Sequence, residues 1–477
     1  MDTKKKTKIV ATIGPASSSS DTLVRLIKSG MNVARVNFSH GDHTEHQSKI
    51  HTIRSAARRV GAPVALLADL AGPKIRTGDF KTGHVTLKKG KRVVLTTAKC
   101  LGTAERMYVN YPKFADEVKK GNHILLDDGK VRLEVVAVSG ADVTCMVRIG
   151  GTIASRRGVN VPGAYLSIPS LTAKDKKDLD FIAQNNFAYV ALSFVRRAQD
   201  IERLRRELEA RKSRAHIVAK IETLEAVENL PAIVEATDAV MVARGDLAIE
   251  VNHEDVPLLQ KRITRMCNAS GKPVIIATQM LESMITAAVP TRAEVSDVAN
   301  AIYDGADAVM LSGETALGEY PVEAVEYMTR VAQKIENECT HKNLGAVLQP
   351  RSESIDIYHT VDAVSTSVVK IAEMVDAKAI IALTESGFTA RMVSRWRPEQ
   401  PVLVMTHDDT VVLQSALLFG CRPEKIRKFT HLYQVVDTVK KTVRDLKLAK
   451  KDDKVVIAAG IPFGKVGGTN MVHVLKL

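Results

Sequence analysis

The sequence predicts an α/β protein: a closed (β/α)8 barrel, a small β-barrel domain inserted into it, and an open α/β domain at the carboxyl end. Three observations lead to this prediction. Short apolar runs alternate with amphipathic segments, one long interval between two runs has a β-rich pattern instead, and the alternation restarts after residue 345. Continuous apolar runs are typical of strands buried on both faces, and such strands form parallel sheets when they alternate with helices.

The barrel strands are predicted from eight short runs rich in β-branched residues, each ending in polar residues. The runs span residues 8–14, 31–39, 64–70, 189–195, 216–222, 238–246, 273–279 and 307–315. Most are joined by amphipathic segments such as SDTLVRLIKSG, in which Asp21 is suited to cap a helix and Gly30 to end it. Units of this kind that close on themselves form a TIM barrel. The alternative, a doubly wound open sheet, rarely carries chemistry at so many strand ends.

The interval between the third and fourth runs has a different character. Residues 73–160 contain short strand-like stretches with Gly and Asp-Gly turns, such as HILLDDGKVRLEVVAV, and few helical periods. This pattern predicts a small β-barrel or sandwich. A domain inserted after the third barrel strand lies over the carboxyl end of the barrel, where it is placed to act as a lid.

The third domain is predicted from the renewed alternation near the carboxyl end. TVDAVSTSVVKIAEMVDA reads as a helix, and AIIALTES, PVLVMTHD and KVVIAAG read as strands. Residues 344–354, with Gly, Pro and weak periodicity, are the predicted linker. The predicted domains are therefore residues 1–72 and 161–344 for the barrel, 73–160 for the insertion and 345–477 for the carboxyl-terminal domain.

Composition narrows the classes of partner. The 477 residues are 45% hydrophobic, as expected of a multidomain globular protein. The net charge of +14, from 68 basic and 54 acidic residues, raises the possibility of nucleic acid or a membrane surface as a partner. Because the charges are interspersed and aromatic residues make up only 4%, platforms for stacking on single strands are scarce. Small anionic substrates fit the charge better, and we expect no nucleic-acid partner.

The cysteines indicate a reducing compartment. Cys100, Cys145, Cys267, Cys339 and Cys421 are scattered and form no C-x-x-C pair, so neither a disulfide framework nor a zinc site is suggested. No apolar run has the length of a membrane span, and the amino terminus lacks the apolar region of a signal peptide. We therefore expect a cytoplasmic protein without a membrane partner.

Polar residues lie at or just after the carboxyl ends of the predicted strands, where the active-site residues of TIM barrels lie. They are Arg35, Asn37, Ser39, Asp69, Ser193, Arg196, Lys220, Glu222, Arg244, Asp246, Thr278, Gln279, Ser312 and Glu314. Because Glu222 and Asp246 end adjacent strands, their carboxylates can face one cavity and hold a hard divalent cation. Lys220 shares a strand face with Glu222, where an ammonium can stabilise an oxyanion or a transferring phosphoryl group. The structural alternatives are a plain Lys220–Glu222 ion pair and a turn capped by Asp246.

Two loops of the third domain are candidate phosphate sites. GIPFGK, residues 460–465, is not a Walker A motif, because three rather than four residues separate its glycines and Val466 follows the lysine. TESGFTA, residues 384–390, opens a helix and offers N–H groups and hydroxyls. Together they predict an effector site formed by Thr384, Ser386, Thr389 and Lys465, although an ordinary helix cap explains either loop alone.

Several stretches, taken in order along nearly the whole chain, resemble the signatures of the pyruvate kinase family. They are KIVATIGPAS, GMNVARVNFSHG, AKIE, MVARGDL, GKPVIIATQMLESM, PTRAEVSDVANAIYDGADAVMLSGETA and GGTN. The resemblance implies transfer of the phosphoryl group of phosphoenolpyruvate to ADP, a requirement for Mg²⁺ or Mn²⁺, and a homotetramer. The two loops of the third domain add the expectation of a phosphorylated effector. A metal-dependent phosphoenolpyruvate or pyruvate lyase on a similar barrel is the alternative, and a nucleic-acid-binding protein is a more distant one.

The resemblance also implies roles for individual residues. Glu222 and Asp246 would bind the divalent metal, and Lys220 would neutralise charge on the phosphoryl group and the enolate. Arg35 would bind the phosphoryl group, and Thr278 would belong to the relay that protonates the enolate. The implied substrate-binding residues are Arg35, Gly245, Asp246, Thr278, Ser312 and Glu314, and Arg76 would reach ADP beneath the inserted domain.

The stretch ADLAGPKIR, residues 68–76, departs from the potassium-requiring members of the family. Those members have Thr-Lys after the acid and Glu five positions beyond it, whereas this chain has Leu70, Ala71 and Lys74. A fixed ammonium is a compact unit charge that can replace K⁺. We therefore expect Lys74 to complete the monovalent-cation region near Asn37, Ser39 and Asp69, so that K⁺ is not required. The alternative is a surface lysine in a solvated turn.

Overall fold

The first three predicted strands are present in the computed structural model, which describes residues 5–338, 356–428, 431–462 and 468–477. They are β1 (Lys8–Thr12), β2 (Val33–Asn37) and β3 (Ala65–Asp69). The helix Ser20–Ser29 after β1 is capped by Ser19, whose side chain accepts the Thr22 N–H, so the prediction of Asp21 as the cap was wrong. Asp21 lies in the first turn instead. Gly30 ends this helix with a positive φ of +121°, as expected.

The inserted domain is rich in β-structure, as predicted. Its strands are β4 (His84–Leu87), β5 (Arg92–Thr96), β6 (Arg106–Tyr108), β7 (His123–Leu126), β8 (Val131–Ser139), β9 (Asp142–Ile149), β10 (Gly151–Ala154) and β11 (Val159–Asn160), with a short helix Phe114–Glu117. The sequence left open whether this domain is a barrel or a sandwich. Its strands form a six-stranded sheet, in the order β11-β7-β8-β9-β5-β6, and a separate β10-β4 pair. These sheets enclose a core of their own, which includes Phe114, Leu133 and Val147.

Five further strands complete the barrel: β12 (Tyr189–Leu192), β13 (His216–Ile221), β14 (Ala239–Ala243), β15 (Val274–Ala277) and β16 (Ala308–Leu311). With β1 to β3 they form a closed parallel barrel in the order β1-β16-β15-β14-β13-β12-β3-β2, which confirms the predicted fold. The surrounding helices, besides Ser20–Ser29, span His43–Val60, Ala173–Gln184, Ala198–Ala210, Leu224–Glu228, Leu230–Ala236, Arg244–Glu250, Val256–Ala269, Arg292–Tyr303, Gly313–Ala316 and Pro321–Glu338. Short 3₁₀ turns lie at Pro15–Ser17, His253–Asp255 and Glu282–Ile285.

The third domain is an open sheet packed against the amino-terminal end of the barrel. Its strands are β17 (Ala379–Leu383), β18 (Val402–Thr406), β19 (Cys421–Lys425), β20 (Lys454–Ala459) and β21 (Met471–Lys476), in the order β19-β18-β17-β20-β21 with β21 antiparallel. Its helices span Asp356–Met374, Phe388–Ser394, Asp409–Ser415 and Leu432–Asp445. The predicted linker 344–354 and Lys465 lie outside the described residues.

The third domain closes the amino-terminal end of the barrel. Ala416 and Leu417 pack into the same core as Val10, Leu67 and Met241 inside the barrel. The opposite end, where the strands finish in polar residues, faces the inserted domain. Among the described residues, no helix is both long enough and apolar enough to cross a membrane.

Candidate active site

Lys220 is the centre of a buried charged cluster at the carboxyl end of the barrel. Its ammonium donates to Ser193 Oγ at 2.7 Å and lies 2.8 Å from Glu222 Oε1 and 3.3 Å from Asp69 Oδ1. Its side chain is only 11% exposed. Burial alone would lower the pKa of Lys220, but the charges of Asp69 and Glu222 outweigh burial and raise this pKa well above its ordinary value. Lys220 therefore stays a fixed cation at every physiological pH.

Arg35 and Asp69 extend the cluster to the first strands. Arg35 Nε donates to Asp69 Oδ2 at 2.7 Å, and Nη1 donates to Thr12 Oγ1 at 2.8 Å. Burial would raise the pKa of Asp69, but Lys220 and Arg35 outweigh it and hold this pKa below its usual range. Within the described part of the chain, Nη2 of Arg35 has no hydrogen-bond partner, so this fixed guanidinium retains donors for an anion.

Carboxylate oxygens lie at two neighbouring strand ends: Glu222 directly follows β13, and Asp246 lies in the helix Arg244–Glu250 that follows β14. Glu222 Oε2 accepts the Phe194 N–H at 2.6 Å, whereas the buried Oε1, near Lys220, lacks the angles of a hydrogen bond. Burial raises the pKa of Glu222, and the negative charge of Asp246 adds to this effect. Asp246 itself accepts no hydrogen bond from any described residue.

These carboxylates fit a divalent cation. A cation between Glu222 and Asp246 would relieve their repulsion and use the oxygens that lack hydrogen bonds. Over the described residues, no cluster of three or more His, Cys, Asp or Glu side chains is arranged to hold a metal. The remaining ligands would therefore come from substrate and water, which is the usual manner of Mg²⁺ binding.

Thr278 and Gly245 form the wall next to Asp246. Thr278 follows β15 in a left-handed conformation, φ +66°, which is uncommon for a β-branched residue. Its hydroxyl accepts the Gly245 N–H at 2.9 Å and donates to the Ala277 carbonyl at 2.7 Å. Arg244 secures this wall, because Nη2 donates to the Thr278 carbonyl at 2.7 Å while Nη1 pairs with Asp297.

Ser312 and Glu314 follow β16, and Glu314 is 2% exposed. Its oxygens accept the Leu281 N–H at 3.1 Å and the Ser312 N–H at 2.7 Å. Burial raises the pKa of Glu314. This carboxylate therefore braces two loops in the structure, and its contact with substrate or site water stays a prediction.

The residues of the monovalent-cation region are not all brought together. Asn37 Oδ1 accepts the Ser39 N–H at 3.0 Å close to the barrel cluster. Lys74 makes no ion pair with Asp69; its Cε lies 3.2 Å from the position of a Cβ at Gly158. The reason is local, since Ile75 packs into the core of the inserted domain and leads the chain away from β3. The structure therefore shows no ion pair between Lys74 and Asp69, and a role of Lys74 in this region stays a prediction.

Arg76 lies on the inserted domain and is exposed. Its Nη1 donates to the Arg156 carbonyl at 3.2 Å, and its N–H donates to Asn110 Oδ1 at 2.7 Å. A nucleotide role for Arg76 stays a prediction.

In the third domain, the predicted effector residues are only partly available. Thr389 is buried, and its hydroxyl lies 2.9 Å from that of Thr469. Thr384 and Ser386 are half-buried beside Gly387, which begins the helix Phe388–Ser394 in a left-handed conformation.

Two residues of the site were not assigned roles from the sequence. Ser193 and Arg244 both follow strands, and from this position in the sequence we could place them at the carboxyl end of the barrel. The same position is shared by every polar residue at a strand end, so it could not assign a role to either residue. Only the geometry shows that Ser193 accepts from Lys220 and that Arg244 anchors Thr278.

Comparisons with known proteins agree over nearly the full length. The family model described as pyruvate kinase, barrel domain, matches residues 4–325, and pyruvate kinase, alpha/beta domain, matches residues 362–475. The chain is 46% identical to the pyruvate kinase of Geobacillus stearothermophilus, over 99% of this chain and 81% of the relative. It is 44% identical to that of Staphylococcus saprophyticus, over 98% of this chain and 80% of the relative.

A solved structure extends the likeness to the fold. The crystal structure of a pyruvate kinase from Cryptosporidium parvum matches with a TM-score of 0.93 and 34% identity, over 99% of this chain and 96% of that one. The lyase alternative finds no support in these comparisons. The chain belongs to the pyruvate kinase family and is a phosphotransferase.

Proposed function

We propose that the transfer of the phosphoryl group from phosphoenolpyruvate to ADP, giving pyruvate and ATP, takes place in this chain around Lys220. The observation that carries the proposal is the buried cluster in which Lys220 contacts Asp69, Glu222 and Ser193 at the carboxyl end of the barrel. This is the end at which TIM barrels carry their active sites.

Lys220 and Arg35 offset the charge of two polyanionic substrates. Two like charges about 4 Å apart repel by about 1 kcal/mol in water and by about 4 kcal/mol at the effective dielectric of a protein surface. A cation fixed by its neighbours stabilises developing charge without reorganising during the reaction. Lys220 meets this requirement, and the unused donors of Arg35 suit the phosphoryl oxygens.

Glu222 and Asp246 would hold the divalent metal that the family generally needs, and we propose Mg²⁺ or Mn²⁺. When bound, the ion supplies positive charge between the reacting phosphoryl group and its neighbours. The two carboxylates would hold the ion.

Thr278 would take part in protonation of the enolate left after transfer. Its hydroxyl is oriented by the Gly245 N–H and held in a strained backbone conformation, which supports a role that depends on exact position. Ser312 and Glu314 lie on the next strand end, where they would order the water that supplies the proton.

Lys74 would supply the positive charge that K⁺ provides in other members. Its ammonium has no ion-pair partner among the described residues, and its side chain lines a cavity of about 220 Å³ together with Asn160, Phe194 and Glu250. An ammonium without a carboxylate partner stays available to the substrate phosphates. K⁺ is therefore not required in this proposal.

Arg76 would bind ADP from the inserted domain, which would exclude water when it covers the site. Four further expectations stay predictions: the homotetramer, a phosphorylated effector at the third domain, the absence of a nucleic-acid partner, and the cytoplasmic location.

The test is a coupled assay with phosphoenolpyruvate, ADP, Mg²⁺, lactate dehydrogenase and NADH. Oxidation of NADH is expected only when both substrates and the metal are present, and Glu222→Gln should abolish most of it. Release of pyruvate without ADP, or no release at all, would contradict the proposal.

A further inference from the structure

The loop of residues 193–196 follows β12, and its first two residues contact the buried charged cluster around Lys220. Ser193 Oγ accepts from the Lys220 ammonium and donates to the Leu70 carbonyl at 2.8 Å. The Phe194 N–H donates to Glu222 Oε2 at 2.6 Å. Phe194 has a φ of +54°, a conformation that bulky residues adopt only when their surroundings enforce it. Something must therefore hold this loop in place.

Arg196, at the other end of the loop, grips the connection that returns from the inserted domain to the barrel. We call residues 161–168 the return connection. Arg196 Nη1 donates to the Leu166 carbonyl, and Nη2 donates to the Ile168 carbonyl. The Arg196 backbone is fixed to the barrel, because its N–H donates to Asp200 at 3.0 Å and its carbonyl accepts from Asn229 at 3.3 Å. The planar fork of a guanidinium suits two carbonyls at once.

The return connection is tied to the inserted domain by its side chains. Leu166 and Ile168 pack against the core of that domain. The Ser167 N–H donates to Glu117 Oε2 at 2.9 Å, and the Ser167 hydroxyl donates to Glu117 Oε1. Motion of the inserted domain therefore pulls on the two carbonyls that Arg196 holds.

A close approach joins the outgoing connection to the same loop. A Cβ at Gly72 would lie 2.9 Å from Ser193 Cβ and 3.2 Å from Phe194 Cδ2. Both connections between barrel and insertion thus touch the loop, one through packing at Gly72 and one through Arg196.

We propose that Arg196 is a positioning residue through which the inserted domain sets the geometry of Lys220 and Glu222. The inference rests on the proposed function only for the metal-binding role of Glu222. While Arg196 holds the return connection, the Phe194 N–H stays on Glu222 and Ser193 Oγ stays on Lys220. When the carbonyls leave Arg196, the loop relaxes from its strained conformation and both hydrogen bonds weaken. The charges of the barrel are then fully assembled only when the lid is in place.

The experiment compares Arg196→Met and Arg196→Lys with Arg197→Met. Arg197 is the matched control, because its side chain is 60% exposed and pairs with Glu225 rather than with the return connection. Three quantities are measured on the full chain: hydrogen exchange of residues 161–168, binding of Mn²⁺ without substrates by electron paramagnetic resonance, and kcat and KM for phosphoenolpyruvate.

Arg196→Met should speed exchange in the return connection, weaken Mn²⁺ binding by about tenfold or more, and lower kcat by a similar factor with a smaller change in KM. Arg196→Lys retains the charge but cannot bridge both carbonyls, so it should show smaller losses of the same kind. Arg197→Met should stay within about twofold of the wild type throughout. If Arg196→Met does not fold, the lysine variant carries the same comparison.

Faster exchange with unchanged Mn²⁺ binding and unchanged kcat would show that Phe194 and Ser193 do not couple the return connection to Glu222 and Lys220. Unchanged exchange in both Arg196 variants would show that Arg196 does not hold the return connection. A wild type that forms no pyruvate would overturn the proposed function instead, and exchange and Mn²⁺ binding would still decide this inference.

Discussion

Lys220→Met removes an ammonium that lies between Glu222 and Asp69, 2.8 Å and 3.3 Å from their carboxylate oxygens. Met keeps most of the side-chain length, so the change is mainly one of charge. Loss of one fixed group that stabilises transition-state charge typically raises the barrier by about 2.7–4 kcal/mol. We expect kcat to fall by about 100-fold to 1,000-fold, with a smaller change in KM for phosphoenolpyruvate, because the lost charge matters most in the transition state.

The structure also predicts a cost in stability, which the assay must separate from catalysis. Asp69 keeps Arg35 as a partner, whereas Glu222 is left buried without a cation. Removing one partner of a buried pair typically destabilises the fold by about 3–5 kcal/mol. Urea unfolding measured beside the coupled assay, at a temperature where the variant is fully folded, distinguishes the two effects.

Lys261→Met is the matched control. Lys261 pairs with Asp304 on the outside of the barrel, and its side chain is 40% exposed. It should lose little activity. A fall of less than about tenfold in the folded Lys220→Met enzyme, roughly 1.4 kcal/mol, would show that the assigned role is wrong.

Three further predictions test other parts of the molecule. Initial rates of the wild type, at constant ionic strength with an organic counter-ion, should be full without K⁺, and a wild type that is inactive without K⁺ would refute this prediction. Lys74→Glu should lower the rates. Added K⁺ should partly restore the activity of this variant, with Leu70→Thr and Ala71→Lys introduced where the neighbouring site must be rebuilt. Thr278→Ala should slow pyruvate release by about 100-fold or more while rapid-quench ATP formation changes less, since general acid catalysis typically contributes that factor; equal slowing of both steps would exclude the relay. His46 is 1% exposed, and neither of its ring nitrogens has a hydrogen-bond partner among the described residues. Burial lowers the pKa of His46 to about 4 in the folded protein. Between pH 6.5 and pH 4 the unfolded chain therefore binds more protons than the folded one, and the stability of the fold decreases as the pH drops through that range. His46→Leu should therefore gain stability over the wild type, by about 2 kcal/mol more at pH 5 than at pH 8, in urea unfolding, and an equal gain at both pH values would contradict the reasoning.

The barrel could be predicted from the sequence because its signal is periodic. Eight runs of apolar residues specify eight buried strands, and polar residues after a strand must lie at the carboxyl end. Local capping was less certain, since Ser19 and Asp21 are both good caps and only the backbone decides that Ser19 accepts the Thr22 N–H. Chain direction after a Gly-Pro break is not periodic either, so the sequence could not decide whether Lys74 pairs with Asp69, and the structure shows no such ion pair.

The contacts within the site were beyond the sequence for a different reason. A hydrogen bond such as Lys220 to Ser193 joins two strands through side-chain geometry, and its 2.7 Å distance depends on the stagger of neighbouring strands rather than on residue type. The sequence supplies the candidates at one end of the barrel, and the closure of the barrel selects among them.

The residues proposed to bind the two substrates lie on different domains. Arg35, Asp69 and Lys220 lie on barrel strands, and Glu222 follows one directly, so the groups proposed for phosphoenolpyruvate and the metal are held by a rigid parallel sheet. Arg76, proposed for ADP, lies on the inserted domain and is exposed. With Arg76 on the inserted domain, the proposed ADP site would be complete only when the two domains approach, whereas the strands that carry the donor groups are in place beforehand. Water is a smaller nucleophile than ADP and can reach the phosphoryl group of phosphoenolpyruvate without the inserted domain. Hydrolysis would therefore be suppressed if the charged groups of the barrel were correctly placed only when the inserted domain covers the site. The hydrogen bonds from Arg196 to the return connection are placed to couple the two.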